Sequence, residues 1–461
     1  MQRVPFALTA WDDNEYGLPT VELVNLYPEQ MPHLGAPRLV PTPGLTLFQA
    51  ASTGVRGVFQ SDGILSGQIV YADGTSLERV TSSGTNAVID TVASDNYDAQ
   101  FAASQADLVA TSGGTAYLVE SGSVTSITVG NASGDITSVA ELGQRHLFVE
   151  DGSGRFWWSD VGDPTTVSAT SFATAESEPD NLLSIQSYKG RIYLFGTATV
   201  EAWTPTGDQD AAFRSSPGAV LPSGLIGRDA VCQSDDSMFM VATTGQIFRL
   251  DGLARTRIST SAIEGYIKDL SASNQALVKL RSYQWRGHEF IRVTIPGTGA
   301  WNYDLLTGAW HRAKTLGTDT HIVNDFVQAF GTTYATGAGG IYSMSRTVYD
   351  EAGTEVRRVA QALVSATSYS EVERLTVYTS SENVPVTGQG SDPKFMLRVA
   401  RDGVVFEHEI LRDGPKAGQY AKRIEWGPLG RMEPPVFKIE LAWSDPFGTT
   451  VSDCWLNMAR S

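Results

Sequence analysis

Cysteine is scarce: Cys232 and Cys454 are the two in 461 residues, too few for a disulfide framework. No CxxC pair or Cys/His cluster accompanies them, which excludes the common zinc arrangements, so both read as small buried hydrophobes. Charge is scarce too, at 18% of residues against a usual ~25%. What charge there is runs one way, with 51 acidic against 34 basic residues and a net of -17. Such a balance argues against a basic surface that grips nucleic acid by its phosphates. Read blandly, it keeps the protein soluble; read sharply, it makes a wall that repels anions. No apolar run approaches the ~18 residues of a membrane helix, so no membrane insertion is expected. The opening MQRVPFALTAWDDNEYG lacks the charged-then-apolar pattern of a secretory signal.

Catalytic motifs are missing as well. There is no GxSxG nucleophile elbow, no P-loop, no complete GxGxxG and no EF-hand loop. His288-Glu289 begins an HExxH, but Arg292 stands where the second histidine belongs. His33, His146, His311, His321 and His408 are scattered and read as polar surface or blade-edge residues. Asp235-Asp236 and the Asp95/Asp98 pair read as solvated turn acids. Asp151-to-Trp157 only loosely matches the Asp box of sialidase propellers. Trp157-Trp158, Trp285, Trp301 and Trp310 have the stacking surface that binds sugars or bases, but they fall inside strand patterns and read as inter-blade core. No catalytic, cofactor-binding or metal-ligating residue is assigned, and no cofactor is expected.

Glycine, by contrast, is abundant at 45 residues, near one in ten against a usual ~7%. A unit of two apolar strands around a glycine turn recurs at about 40–50 residues. Its clearest copies are His146-to-Asp160, Arg191-to-Thr206, Ser237-to-Asp251, His288-to-Asp304 and Val327-to-Ser345, with weaker ones at Gln68-to-Val80 and Leu108-to-Val129. Asp62-Gly63, Asp73-Gly74, Asp151-Gly152 and Asp251-Gly252 supply the positive-φ residues that tight hairpins need. Small sheets that cannot bury both faces alone stack around a ring. The expectation is all-β: a β-propeller of about seven blades, with six to eight possible, over residues 51–355.

Residues 1–50 differ. Pro5, Pro19, Pro28, Pro32, Pro37, Pro41 and Pro43 oppose regular strands and predict an extended, irregular arm. Trp11, Tyr16, Tyr27 and Phe48 predict that the arm lies against the propeller or a neighbouring subunit. Residues 356–461 read as a β-sandwich-like domain, with strands at Ala360-to-Thr367, Arg374-to-Thr379, Phe395-to-Arg401, Val404-to-Leu411, Lys422-to-Trp426, Val436-to-Trp443 and Asp453-to-Met458. Ser380-to-Asp392 reads as an exposed loop. Ser261-Ala262-Ile263-Glu264 matches a capping box with Ser261 as N-cap, predicting a helix over 262–271 packed on a blade edge.

Several short segments, in order, resemble a known family. They are Asn25-Leu26-Tyr27-Pro28-Glu29, Pro43-Gly44-Leu45, Arg56-Gly57-Val58, Trp158-Ser159-Asp160, Glu176-Ser177-Glu178-Pro179-Asp180, Thr199-Val200-Glu201-Ala202-Trp203, Ser261-to-Glu264, Glu425-Trp426 and Leu429-Gly430-Arg431. In this order the chain resembles the packaged-DNA stabilisation protein, or tail hub (nozzle), of short-tailed bacteriophages (podoviruses). The resemblance implies a structural virion protein, made in the host cytoplasm, with no catalytic role. It implies a homohexameric ring below the portal and its head-to-tail adaptor, docking tail fibres or spikes and a needle or plug. Double-stranded DNA would pass through the bore without sequence-specific binding. Two other classes fit the bare composition: a propeller adhesin or scaffold that binds glycan or protein, and a propeller glycosidase with paired carboxylates.

Overall fold

The computed structural model describes all residues except 1, 5, 7–19, 31–36, 176–179, 210, 235, 366–367 and 460–461. Among the described residues five strands precede the repeat: β1 (Gln2–Arg3), β2 (Leu23–Val24), β3 (Leu26–Glu29), β4 (Arg38–Pro41) and β5 (Gly44–Ala50). From Val55 onward the chain forms antiparallel meanders, each a four-stranded sheet. Five of them, starting at Val55, Gln100, Ile136, Leu182 and Val231, are built wholly from consecutive strands. The four strands between Lys279 and Ala313 make another meander that runs on into a larger sheet. The last, Val323–Ser345, has three strands of its own, and β5 pairs antiparallel with Gly340–Ser345 as its fourth. The first strands of the meanders line the axis, and the last packs back on the first, closing the ring. This is a propeller of six free-standing four-stranded blades and one fused meander, inside the expected range.

The repeat shows in geometry more than in residue identity. A β-bulge recurs between the first two strands of the first, third, fourth and seventh units, where it re-aims side chains at the axis. Apolar residues on both faces of the middle strands fill the gaps between blades. Trp157, Trp158, Trp301 and Trp310 are buried there.

The C-terminal strands make two facing sheets around one apolar core. One continues the sixth meander: Trp310–Ala313, β2, Arg358–Ser365, Val436–Trp443, Lys394–Ala400 and Ile410–Asp413. The other is ordered β3, β4, Gly448–Ala459, Ser370–Glu382, Ala421–Trp426, with β1 on Gly448–Ala459 and Gly430–Met432 on Ser370–Glu382.

The N-terminal residues depart from the expected irregular arm. Where described, residues 23–29 and 38–50 are mostly strand, divided between both C-terminal sheets and the last blade. Proline is tolerated because Pro28 lies on β3, the edge of its sheet, and Pro41 ends β4. Trp11 and Tyr16 lie outside the described residues.

Three further details differ. Helix α1 (Ser261–Lys268) is capped by Thr260, whose side chain accepts from the Ile263 N–H, one residue earlier than expected. Buried Glu264 instead accepts from Arg257 Nε at 2.6 Å and from the Ser259 hydroxyl at 2.5 Å. Val404-to-Leu411 is strand only from Ile410, because the Asp402 carboxylate takes the N–H groups of Val404 and Val405 (both 2.9 Å) and turns the chain there. Ser380–Glu382 belongs to a 13-residue strand rather than to the loop.

Candidate functional site

The propeller axis is the first place to look for a conduit or a ligand site. An open cavity of about 440 Å³ runs along it, lined by Phe59, Phe101, Glu141, Gln186, Gln233 and Arg281 among others. Its blade-start end is shut by charge. Asp98 bonds Lys279 at 2.6 Å and Arg281 at 2.7 Å, and Arg281 also meets Asp325 at 3.0 Å and Asp229 at 3.4 Å. Arg228 joins through Asp95 at 3.2 Å and lies over the Tyr97 ring at 4.0 Å. Burial alone would lift the carboxyls of Asp98 and Asp325. The cations Lys279 and Arg281 overcome it at Asp98, whose carboxyl is held below its usual range, while Asp325 is pushed up. Four blades thus meet in one ion-paired plug.

The second constellation lies where propeller and C-terminal sheets join. Along β3 the side chains alternate: Leu26 enters the core of the C-terminal sheets, and Tyr27 enters the propeller core against Phe290 at 5.5 Å. Asn25, at φ 55°, donates to Lys314 O (2.8 Å) and Arg357 O (2.9 Å) and accepts from Lys314 N (3.0 Å). Glu29 reaches His288 Nε2 at 3.0 Å, and Asp304 holds His288 Nδ1 at 2.8 Å. Nearby, His321 Nε2 faces Glu351 at 3.0 Å while its Nδ1 lies 3.0 Å from Arg292 and 3.2 Å from the Val323 N–H.

A family model described as Bacteriophage P22 Gp10, beta-propeller, matches residues 3–346. The chain belongs to the P22 Gp10 β-propeller family. It is 23% identical over 341 residues to the tail hub protein gp10 of Salmonella phage P22, covering 70% of this chain and 71% of that protein. Among solved structures, the extracellular domain of a putative hybrid two-component system from B. thetaiotaomicron has a TM-score of 0.45 at 11% identity, over 85% of this chain and 56% of that one. BamB from Moraxella catarrhalis has a TM-score of 0.40 at 12% identity, over 74% and 98%.

In this Gp10-family chain several residues that carry the resemblance sit at joints, while Val58 lines the axial cavity. Arg56 reaches out of its blade to Ala93 O (3.0 Å), on the connection to the next blade, and to Ser112 Oγ (2.7 Å) within that blade. Asp180 accepts the N–H groups of Ala198 and Thr199 at 2.9 and 2.7 Å; Glu176 to Pro179 lie outside the described residues. Trp426 donates to Ile410 O at 2.9 Å and ties the two C-terminal sheets together. Composition and motif searches missed these roles, because latch residues need only a carboxylate or a guanidinium at a loop. The one available signal was an acidic residue recurring at a blade hairpin or inter-blade junction: Asp73, Glu150 and Asp180 all accept backbone N–H groups there.

The histidines are a correction. His146, His288 and His311 are buried and His321 is partly so; only His408 is exposed, and His33 lies outside the described residues. A strand that packs on both faces leaves no solvent side for them. Burial pushes His311 down to about 3, so it is neutral. Asp98, read as a solvated turn acid, is instead the centre of the axial plug. Among the described residues no three His, Cys, Asp or Glu side chains group as a metal site. Cys232 and Cys454 are free.

Proposed function

We propose that this chain is a non-catalytic subunit of the tail hub in a short-tailed phage virion, where a homohexameric ring holds packaged DNA in and later conducts it out. The single observation that supports this is family membership over residues 3–346 together with the named P22 tail hub relative. The expected partners are other copies of the chain, the head-to-tail adaptor, fibres or spikes, and a needle or plug. Synthesis takes place in the host cytoplasm before the subunit joins the virion.

The shut axis favours a bore between subunits over one inside each propeller. Charge placement fits the same reading. Residues 55–221, the first four blades, hold 20 acidic and 7 basic residues, a net of -13 out of -17. Blades turned to the bore with this balance repel phosphate, so DNA slides rather than sticks. The remainder of the chain is nearly balanced and suits contacts with protein. As a working division, residues 44–345 form the propeller unit and residues 356–461, with β1 to β4, the unit that fixes it in the ring; this moves β5 out of the expected 1–50 arm.

Negative-stain imaging of the purified chain, with and without a portal–adaptor complex, tests the reading. A six-fold ring is the expected result. A monomer that ignores the complex removes the hub reading and moves weight to a propeller adhesin.

A further inference from the structure

We propose that His288 is a proton-operated lock that fastens β3, and with it the C-terminal sheets, to the sixth blade, closed when the ring carries two protons and open when it carries one. The proposal rests on bonding geometry and is independent of the hub reading.

Asp304 can only be an acceptor at His288. Its Oδ1 takes the Leu306 N–H at 3.0 Å, and its Oδ2 takes the Thr307 hydroxyl at 2.7 Å as well as His288 Nδ1. The proton on that bond therefore sits on Nδ1. The other ring nitrogen, Nε2, faces the Glu29 carboxylate at 3.0 Å. A carboxylate offers only lone pairs, so this bond exists only if Nε2 also carries a proton. The observed pair of contacts requires an imidazolium. Take the second proton away and two lone pairs oppose each other across 3.0 Å, which drives Glu29 off.

The other groups around the ring leave the switch at His288. Tyr27 of β3 packs edge-on at 5.1 Å. His311 is neutral and faces Asn302 Nδ2 at 3.0 Å. Arg286, on the turn before His288, acts electrostatically on Tyr27. His321, near the same blade, is wired the other way. Its Nδ1 accepts from Val323 N, so its one proton points at Glu351 and it stays neutral. Burial works against a charged His288, yet the Asp304 and Glu29 carboxylates outweigh it and hold its proton above the usual histidine range. A raised folded-state value gives a contact fully present below the unfolded value, near ~6.5, and lost as pH rises through the folded one.

The consequence reaches beyond one contact because β3 is a sheet edge. Asn25 and Tyr27 hold its start at any pH, while Glu29 fastens its end. Opening the lock frees the end of β3 and the β4 pairing beside it while the blades stay closed.

Hydrogen exchange of the full-length chain tests this, with rates corrected for intrinsic pH dependence and read at 26–29 and 38–41 against strand Ser237–Val241 as reference. Protection at β3 and β4 is expected to fall on the order of tenfold from pH 6 to pH 9, the weight of one hydrogen bond to a charged group, with the reference unchanged. Glu29→Gln should abolish the fall, because an amide can accept from the protonated ring or donate to the neutral one. A fall of equal size in Glu29→Gln, or none in the wild type, overturns the proposal. Imidazole ¹⁵N shifts on the wild type give a check that needs no variant: His288 must show two protonated nitrogens at pH 6, and a neutral ring there sinks it.

Discussion

Arg281 is the most consequential single side chain in the propeller. It faces Asp98, Asp229 and Asp325 at once from a largely buried position. Replacing it with Met leaves three carboxylates around an apolar stub, and breaking a buried pair costs ~3–5 kcal/mol. Urea unfolding of Arg281→Met is expected to show a loss of that order, with the same slope if the ring stays shut. Asp73 makes a different prediction. Its carboxylate accepts from Thr53 N (2.7 Å), Gly54 N (2.9 Å), the Thr53 hydroxyl (2.6 Å) and Ser52 N. Burial opposes the charge, but these donors win and its carboxyl is held below the usual range. Stability from a depressed carboxyl is present above the unfolded value and lost as pH falls through the folded one. Asp73→Asn should therefore be less stable at pH 7 yet lose less on acidification, measured by thermal melts from pH 7 to pH 3.

At the scale of elements, β5 decides whether the ring is closed. It supplies the last blade's outer strand from the opposite end of the repeat. A chain starting at residue 51 should expose the edge of Gly340–Ser345 and lose the closing contact, an aggregation hazard. Size-exclusion chromatography and calorimetry should show oligomers and a melt that is lower and broader than that of the whole chain. Helix α1 makes a smaller prediction. Thr260→Ala removes the cap and should cost ~1 kcal/mol, with Ile263 and Ile267 still holding the helix on its blade.

At the scale of the whole molecule, one arrangement follows from the placement of charge. If the first four blades face the bore, turning exposed acids there to lysine should convert a slippery wall into a sticky one. Asp62, Asp135 and Asp151 are exposed and suit a triple substitution to Lys. DNA retention by the assembled ring should rise and fall again with salt, as counterion release requires. Unchanged retention would place the acidic blades away from the bore.

The repeat, its strand pairs and the hairpins at Asp73-Gly74, Asp151-Gly152 and Asp251-Gly252 were legible in the sequence because they rest on local chemistry: alternation along a strand and positive φ at a turn; Asp62-Gly63, expected to be a fourth, lies in a longer connection and Gly63 has no positive φ. Val436-to-Trp443 was legible too: Phe437, Ile439, Leu441 and Trp443 alternate with Lys438 and Glu440 and enter the core. Tertiary structure alone decided where β1, β2 and β5 pair and where β4 joins the C-terminal strands, because those partners are edges hundreds of residues away and proline density says only that a strand must lie at an edge. It alone decided the histidines too. A histidine reads as polar in any sequence window, yet His288 is held by Glu29 from 259 positions before it and Asp304 from 16 after. Apolar patterning is written residue by residue, whereas the pairing of buried charges exists only once the ring has closed.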